Sequence, residues 1–216
     1  MIKNILLLVT SLVAGTMIIV LGFLWISPRD TQILKILLPK TFFSLEDAPT
    51  NSLVGEIASL SGKVAWQSRI APVSILINSP VKLHQGEEVD TYEDGNVLMN
   101  FTKVGTIAAS FNSQINFIQT LPEDFVVEQK QGIASFDKSG ENPVSVIALN
   151  LLININSGES EIFVDKDTSR ITVTVKTGSV TAAFNDNGNN TNVVSIKSGY
   201  EYFFDDNTKT GISEAL

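Results

Sequence analysis

The apolar positions of the chain form a continuous run at its start and follow a period of two further on. Residues 5–26 contain no charged side chain, with Lys3 before them and Arg29 after them. At 1.5 Å per residue, a helix of this length matches the hydrocarbon core of a bilayer, about 30 Å. The pattern predicts a transmembrane anchor at residues 5–27, preceded by a short cytoplasmic tail at residues 1–4.

A cleaved signal peptide is the competing interpretation, because it also has a basic start and an apolar core. Here the apolar run is longer than the usual length of about 7 to 15 residues, and no small-x-small cleavage site comes after it. Trp25 lies where an interfacial aromatic side chain anchors a span. An uncleaved anchor is therefore the favoured hypothesis.

Residues 28–52 form a juxtamembrane segment and linker. Four of its apolar residues share one helical face: Ile33, Leu34, Leu37 and Leu38. A short amphipathic turn in the headgroup layer is one hypothesis, and a continuation of the anchor or a packing strip for the adjoining domain is the other. Pro39 ends any helix there, and residues 46–51 have the composition of a linker.

After the linker, apolar and polar residues alternate with a period of two. Residues 96–101 and 171–176 are clear examples, and such segments bury one face and expose the other. Asp94-Gly95 and Asn187-Gly188 are dipeptides that favour two-residue hairpin turns. The pattern predicts an all-β domain at residues 53–216, either a hairpin-rich sandwich or a solenoid-like stack.

A loosely recurring glycine pattern marks three places where the chain is expected to bend. Gly62, Gly132 and Gly178 each stand two residues before an apolar β-former or a small residue. Glycine adopts the backbone conformation of a tight bend without a steric penalty. We expect a bend between strands at each of the three, although the irregular spacing is not that of a strict repeat.

Composition narrows the classes of function. The chain has no cysteine and one histidine, which excludes disulfides, a thiolate nucleophile, iron-sulfur clusters and cysteine-ligated zinc. From Asp30 onward there are 13 basic and 23 acidic residues, a net charge of −10. So acidic a domain argues against a nucleic-acid partner.

Several short motifs succeed one another across the predicted domain. Residues 81–91 read VKLHQGEEVDT and residues 171–180 read ITVTVKTGSV. Together with four further segments, they resemble in order the FecR domain, an extracytoplasmic all-β module that lies after a single membrane span in its best-known members. In that family the first of the two has the form L-x-x-G-D-x-I-x-T, and Glu87 stands here where Asp is usual. The further segments are residues 54–64, 94–101, 131–133 and 194–199.

The resemblance implies a non-catalytic binding or scaffolding module of a bacterial cell envelope. Gly158-Glu159-Ser160-Glu161 departs from the family's Gly-Thr-x-Phe step, because the Thr is missing. The family's signalling members also carry a sigma-regulating domain before the span, whereas residues 1–4 leave no room for one. The resemblance therefore implies the module, without the iron-uptake signalling of those members.

The charges that flank the anchor bear on its orientation. Counted literally, the positive-inside rule keeps Arg29, Lys35 and Lys40, and the domain behind them, in the cytosol. A first span behind a very short tail nevertheless often translocates the chain on its C-terminal side, and the resemblance is to domains that lie outside. We expect the domain outside the cytoplasmic membrane, in the periplasm or at the cell surface.

Catalytic chemistry has few candidates in this sequence. His84 is the only imidazole, and no G-x-S-x-G motif provides a nucleophile for it. A glycosidase-like pair of carboxylates stays open, because the fold sets its geometry and 23 acidic residues are available. We expect no enzyme activity, no catalytic residue and no cofactor.

One acidic cluster is a weak candidate for calcium binding, since hard cations take several oxygen ligands from such loops. The alternative is a solvated turn, because side chains that alternate along a strand do not all converge. The cluster consists of Glu87, Glu88, Asp90, Glu93 and Asp94.

A second candidate is the aromatic group Tyr200, Tyr202, Phe203 and Phe204. It could line a carbohydrate or peptide surface, or it could belong to the core. Strand alternation buries one of Phe203 and Phe204 in either case.

The sequence thus favours a binding or scaffolding module that recognises an envelope protein or glycan through a sheet face or edge. Membrane contact is expected only through the N-terminal helix. Two alternatives stay open. One is an envelope enzyme that processes glycans, and the other is a structural surface protein that associates with itself by strand addition.

Overall fold

The computed structural model describes residues 48–216, and the predicted anchor and tail lie outside these residues. The described part is all-β, as predicted, and contains sixteen strands and no helix. Among residues 48–216, no helix is long and apolar enough to cross a membrane. The strands are β1 (Gly55–Ser61), β2 (Val64–Gln67), β3 (Ile75–Ile77), β4 (Lys82–Leu83), β5 (Glu88–Thr91), β6 (Asn96–Phe101), β7 (Gly105–Ala109), β8 (Gln114–Leu121), β9 (Asp124–Lys138), β10 (Val144–Ala148), β11 (Leu151–Asp165), β12 (Arg170–Val175), β13 (Ser179–Asn185), β14 (Thr191–Lys197), β15 (Tyr200–Asp205) and β16 (Thr210–Ala215).

The strands form two open sheets, an antiparallel front sheet and a mixed back sheet, that share two long strands. The front sheet has the order β4-β1-β6-β7-β9-β11-β12-β15-β16, and the back sheet has the order β3-β2-β5-β8-β9-β10-β11-β13-β14. All neighbours are antiparallel except β9 and β10, which are parallel. Both sheets therefore advance along the chain from an N-terminal edge to a C-terminal edge.

The two shared strands bend at glycines. In β9, Gln131 pairs with the back sheet and Gly132 with the front sheet; in β11, Ser157 pairs with the back sheet and Gly158 with the front sheet. Gly132 has φ +85° and Gly158 has φ +77°, values that L side chains rarely adopt. The bends let one continuous strand serve both sheets.

The bends predicted from the recurring glycines are confirmed, and they lie where the chain passes from one sheet to the other. Gly62, between β1 and β2, and Gly178, between β12 and β13, also have positive φ and connect the front sheet to the back sheet. Asp94-Gly95 likewise connects the two sheets, so the predicted hairpin there is wrong. Asn187-Gly188 does lie in a hairpin, although its loop is longer than two residues and joins the paired ends Asn185 and Thr191.

The core lies between the two sheets, and the buried residues of both belong to a single cluster. Phe101 on the front sheet lies 5.0 Å, centroid to centroid, from Phe117 and 4.9 Å from Phe125 on the back sheet. Phe184 and Phe204 make the same kind of contact at the C-terminal end, at 4.8 Å. The arrangement is a sandwich, and the chain repeatedly passes from one sheet to the other.

The two edges of this sandwich differ. At the N-terminal edge, β3 and β4 have three and two residues, and Pro72 and Pro80 flank β3. At the C-terminal edge, β14 has seven residues and β16 has six, and each pairs with one neighbour only among the described strands. Short strands and prolines block further pairing, so the C-terminal edge is the one that can accept another strand.

Candidate functional site

A row of side chains crosses the outer surface of the front sheet. On the neighbouring front-sheet strands β9, β11, β12, β15 and β16, the residues that lie directly opposite one another are Ile133, Phe163, Thr172, Phe203 and Ile212. Three of these are exposed and apolar: Phe163 at 42%, Phe203 at 39% and Ile212 at 64%. We call this row the aromatic stripe.

Strand alternation explains why these side chains face outward. Phe203 lies between Tyr202 and Phe204, which are both buried. The sequence-based expectation that one of Phe203 and Phe204 is buried is therefore confirmed, with Phe204 inside. Tyr202 is also inside and Tyr200 is exposed, so the predicted aromatic group divides evenly between core and surface.

A shallow cavity of about 370 Å³ lies at the β9 end of the stripe. Phe111, which is 51% exposed, and Phe163 both line it, together with Asp165. The loop of Phe111 is fixed beside the bend of β9, because the Ser113 hydroxyl donates to the Ile133 carbonyl at 2.9 Å and accepts from the Ile133 amide at 2.8 Å. The cavity thus extends the stripe and adds the aromatic ring of Phe111, whose loop these hydrogen bonds fix in place.

Carboxylates border the stripe on one side. In the next row of the front sheet, the partners across β11, β12, β15 and β16 are Glu161, Thr174, Glu201 and Glu214. The Thr174 hydroxyl donates to Glu201 at 2.8 Å, and the Ser135 hydroxyl donates to Glu161 at 3.2 Å. Neutral donors therefore orient two of the three carboxylates.

Lys176 compensates only one end of this acidic row. Its Nζ lies 2.9 Å from Glu159 and 3.5 Å from Glu161, and the hydrogen bond to Glu159 is the main cause of its raised pKa. Within residues 48–216, neither Glu201 nor Glu214 forms an ion pair. Glu201 and Glu214 are direct cross-strand neighbours, a placement that is destabilising for like charges.

The other side of the stripe is also acidic. The partners in that row are Asp165, Arg170, Asp205 and Thr210, and Arg170 lies 3.7 Å from Asp205. Asp165 accepts the backbone amides of Asp167 and Thr168 in its turn. Hydrogen bonds from Thr168, side chain before backbone, lower the pKa of Asp165, so it carries its charge across the neutral range.

The stripe and its two borders together form what we call the front-face site. An exposed apolar patch with polar rims is typical of an interaction surface. Rows with an excess of negative charge select a cationic partner and accelerate its approach. The site is thus suited to binding, through apolar contact at its centre and attraction of cations at its rims.

The calcium candidate is spread over two faces of the back sheet. Glu87 is buried and accepts the Trp66 indole N–H at 3.0 Å and the His84 amide at 2.8 Å. Glu88 and Asp90 alternate with buried Val89 and point away from the core, where Glu88 pairs with a lysine.

The remaining two residues of that candidate, Glu93 and Asp94, are exposed in the turn after β5, where Asp94 accepts the Lys63 amide at 3.1 Å. Among residues 48–216, no group of three or more His, Asp or Glu side chains is arranged to hold a metal ion. The structure therefore does not bring the five residues together. His84 lies just after β4, with its Nδ1 3.5 Å from Glu87.

Sequence reasoning identified only one part of the front-face site, the group around Phe203. Phe111, Phe163 and Ile212 are far apart in the chain: strand pairing places Phe163 and Ile212 in one row, and the hydrogen bonds between Ser113 and Ile133 bring the loop of Phe111 beside it. The available signal was the alternation itself, which places Phe163 opposite in phase to the buried Ile162 and Val164.

Comparison with known proteins finds likeness only at the level of solved structures. No protein family matches the chain, and no curated protein matches it. Two crystal structures of a protein from Parabacteroides distasonis, provisionally described as an anti-sigma factor, match 59% of this chain at 12% identity, with TM-scores of 0.48 and 0.49. The match covers 59% of those chains as well. A likeness at this level does not identify a shared function.

Proposed function

We propose that this chain is a membrane-anchored, non-catalytic binding module of the cell envelope, organised like a FecR domain. In this proposal residues 5–27 anchor it in the cytoplasmic membrane, and the β domain lies outside. It recognises a partner through the front-face site, and the anchor raises the effective concentration of the domain near the membrane.

The observation that carries the proposal is the aromatic stripe with its carboxylate borders. Phe163, Phe203 and Ile212 are exposed in one row, although a lone sheet surface does not need large apolar side chains. Glu201 and Glu214 face each other without a cation among the described residues. Residues that cost stability and gain nothing within the fold are typical of binding sites.

Membrane topology is the first test. A tag placed after Leu216 is exposed to protease added to spheroplasts, with lysed cells as the control for cleavability. Cleavage in spheroplasts is expected if the domain lies outside. Protection there, with cleavage after lysis, would mean that Arg29, Lys35 and Lys40 set the orientation and that the extracytoplasmic proposal is wrong.

The binding role has its own test in living cells. A photo-crosslinking amino acid replaces Phe203 on the front face or, as the matched control, Leu152 on the back face; both positions are exposed to a similar degree. We expect a crosslinked product from position 203 that position 152 does not give. Equal products from both positions, or none from position 203, would contradict recognition through the front face.

Self-association by strand addition is a second candidate, and the free C-terminal edge favours it. Every residue of β16 (Thr210–Ala215) is exposed, and neither β16 nor β14 carries an internal proline. Sedimentation velocity of the full chain in detergent, over a range of concentrations, tests it. The Ser213 amide faces away from β15, because the alternate residues up to Leu216 bond to β15. Growth of the particle with concentration that Ser213→Pro abolishes would support this candidate, and a concentration-independent monomer would exclude it.

A further inference from the structure

We infer that the front-face site binds a cationic amphipathic helix of a protein partner. This inference rests on the proposed binding function and adds the chemistry of what is bound. Three properties of the site lead to it: the length and spacing of the aromatic stripe, the acidic rows on both sides of it, and the uncompensated like charges in one of those rows.

The spacing of the stripe suits the apolar face of a helix. Neighbouring strands lie about 4.8 Å apart, so the four steps from Ile133 to Ile212 span about 19 Å. A helix advances about 5.4 Å per turn, and its apolar side chains recur once or twice in each turn. Three to four turns therefore cover the row, with apolar side chains between Phe163, Phe203 and Ile212.

The borders determine the charge of the helix. One border carries Glu201 and Glu214, and the other carries Asp165 and Asp205 with Arg170 between them, which leaves that second row one negative charge in excess. A helix lying on the stripe places the flanks of its apolar face over these two rows. Lysine or arginine at the flanks gains attraction from both rows, whereas acidic flanks are repelled.

The like-charge pair strengthens this assignment. Glu201 and Glu214 lie directly opposite each other on β15 and β16, and within residues 48–216 the only side-chain hydrogen bond of either carboxylate is the one that Glu201 accepts from the Thr174 hydroxyl. A cation from a partner relieves their mutual repulsion, so part of the binding free energy is already present as unfavourable energy in the free protein. A neutral glycan stacked on the phenylalanines relieves none of it. Anionic lipid and nucleic acid increase it.

The test uses the full chain in nanodiscs of zwitterionic phosphatidylcholine, with the signal of empty nanodiscs subtracted. The probe is a synthetic peptide of about 14 residues, four helical turns, with leucine on one face and lysine on both flanks. A second peptide has glutamate in place of every lysine. We expect isothermal titration calorimetry to show saturable binding of the lysine peptide at about one to one, and at least tenfold weaker binding of the glutamate peptide.

Variants locate the binding on the protein. Phe163→Ala with Phe203→Ala is expected to weaken the lysine peptide at least tenfold. Glu201→Gln with Glu214→Gln is expected to weaken it severalfold and to reduce its dependence on salt concentration. Leu152→Ala on the back face is the matched control and leaves binding unchanged. Near-ultraviolet circular dichroism of each variant shows whether it keeps the native fold.

Each outcome bears on the inference in a defined way. Equal binding of the two peptides, or equal loss from the front-face and back-face variants, overturns it. If a panel of envelope oligosaccharides binds instead, and Phe163→Ala with Phe203→Ala abolishes that binding, the helix inference fails while the proposed binding function stands. If neither class of probe binds and position 203 gives no crosslink in cells, the proposed function fails as well.

Discussion

The outer surfaces of the two sheets carry the same alternating pattern but opposite chemistry at the C-terminal end of the sandwich. On the front sheet, an aromatic stripe lies between acidic rows. On the back sheet, the matching row begins with Glu128 on β9 and is aliphatic from β10 onward, where its exposed members are Leu152 and Val193. The row beside it consists of Ser145, Asn154, Thr181 and Ser195, none of which is charged.

Three polar side chains of that back-sheet row are hydrogen-bonded, two of them to each other and the third to Asn156. The Ser145 hydroxyl donates to the Asn154 side-chain carbonyl at 2.8 Å, and the Asn156 amide donates to the Thr181 hydroxyl at 2.9 Å. On the front sheet, the Glu201 and Glu214 carboxylates oppose each other. The comparison indicates that the front surface, with its opposed carboxylates, gains more from a cationic partner than the back surface does.

The largest expected effect comes from the bend that both surfaces share. In Gly132→Ala, the new Cβ meets the Ser113 hydroxyl at 2.3 Å and the Asn112 carbonyl at 2.5 Å, at φ +85°. Strain and overpacking together are expected to lower the free energy of unfolding by about 3 kcal/mol. Chemical unfolding in detergent, followed by tryptophan fluorescence, measures the change.

Gly199→Ala is the matched control for the bend. Gly199 has φ +81°, and no atom lies within 4 Å of a Cβ placed there. Only the backbone conformation is unfavourable, so a loss of about 1 kcal/mol is expected. Equal losses from the two variants would show that the close approach at Gly132 does not matter.

The second prediction concerns Asp90 on the back sheet, whose Oδ1 has no hydrogen-bond partner among the described residues. Burial first, and then the charge of Glu88, raise its pKa from 3.8 to about 6. The folded state therefore binds this proton more tightly than the unfolded state, so the contribution of Asp90 to stability increases as the pH falls from about 7 to about 4. Asp90→Asn is expected to raise stability at pH 7 by about 1 to 2 kcal/mol and to remove this pH dependence.

Asp165 on the front sheet serves as the comparison, because its pKa is shifted in the opposite direction and its contribution to stability therefore changes with pH in the opposite sense. Its pKa is lowered by the hydrogen bonds from Thr168, so its contribution is present above the pKa of the unfolded chain and is lost as the pH falls. Asp165→Asn is expected to lower stability at pH 7 and to have no effect in strong acid. Unfolding curves at a series of pH values measure both variants, and slopes of the same sign would contradict the assignment.

The third prediction concerns the stripe itself. Phe203→Thr and Leu152→Thr replace exposed side chains on the two surfaces with a residue that also favours strands. Each is expected to cost about 1 kcal/mol of unfolding free energy, because both side chains lose only partial burial. A loss several times larger for Phe203→Thr would mean that the stripe serves stability and not recognition.

The smallest expected effect is a gain. Glu214→Lys turns the like-charge pair with Glu201 into an opposite-charge pair on exposed strands, and stability is expected to rise by about 0.5 kcal/mol. Glu214→Gln is the intermediate control, with about half that gain. The gain is expected to shrink at high salt, and a loss of stability in Glu214→Lys would show that the two carboxylates do not repel each other.

Local patterns were sufficient for much of the fold. Alternation around Val97 and Val173 predicted strands, and the recurring glycines predicted bends at Gly62, Gly132 and Gly178. The hairpin expected at Asp94-Gly95 failed, because the turn dipeptide states only that the chain turns and not which sheet the next strand joins. Which sheet the next strand joins depends on where each flanking strand can bury its apolar face, and adjacent residues in the sequence do not determine this.

By itself, the sequence determined the class of the domain, the phase of the strands with clear alternation and several of the residues at which the chain bends. Phe203 and Phe204 show this, since period-two alternation requires one to face the core. Only the tertiary structure decided which outward residues share a row. Phe163 meets Phe203, and Glu201 meets Glu214, because strand order and register juxtapose residues that are distant in the chain, and the packing of the whole core sets that register.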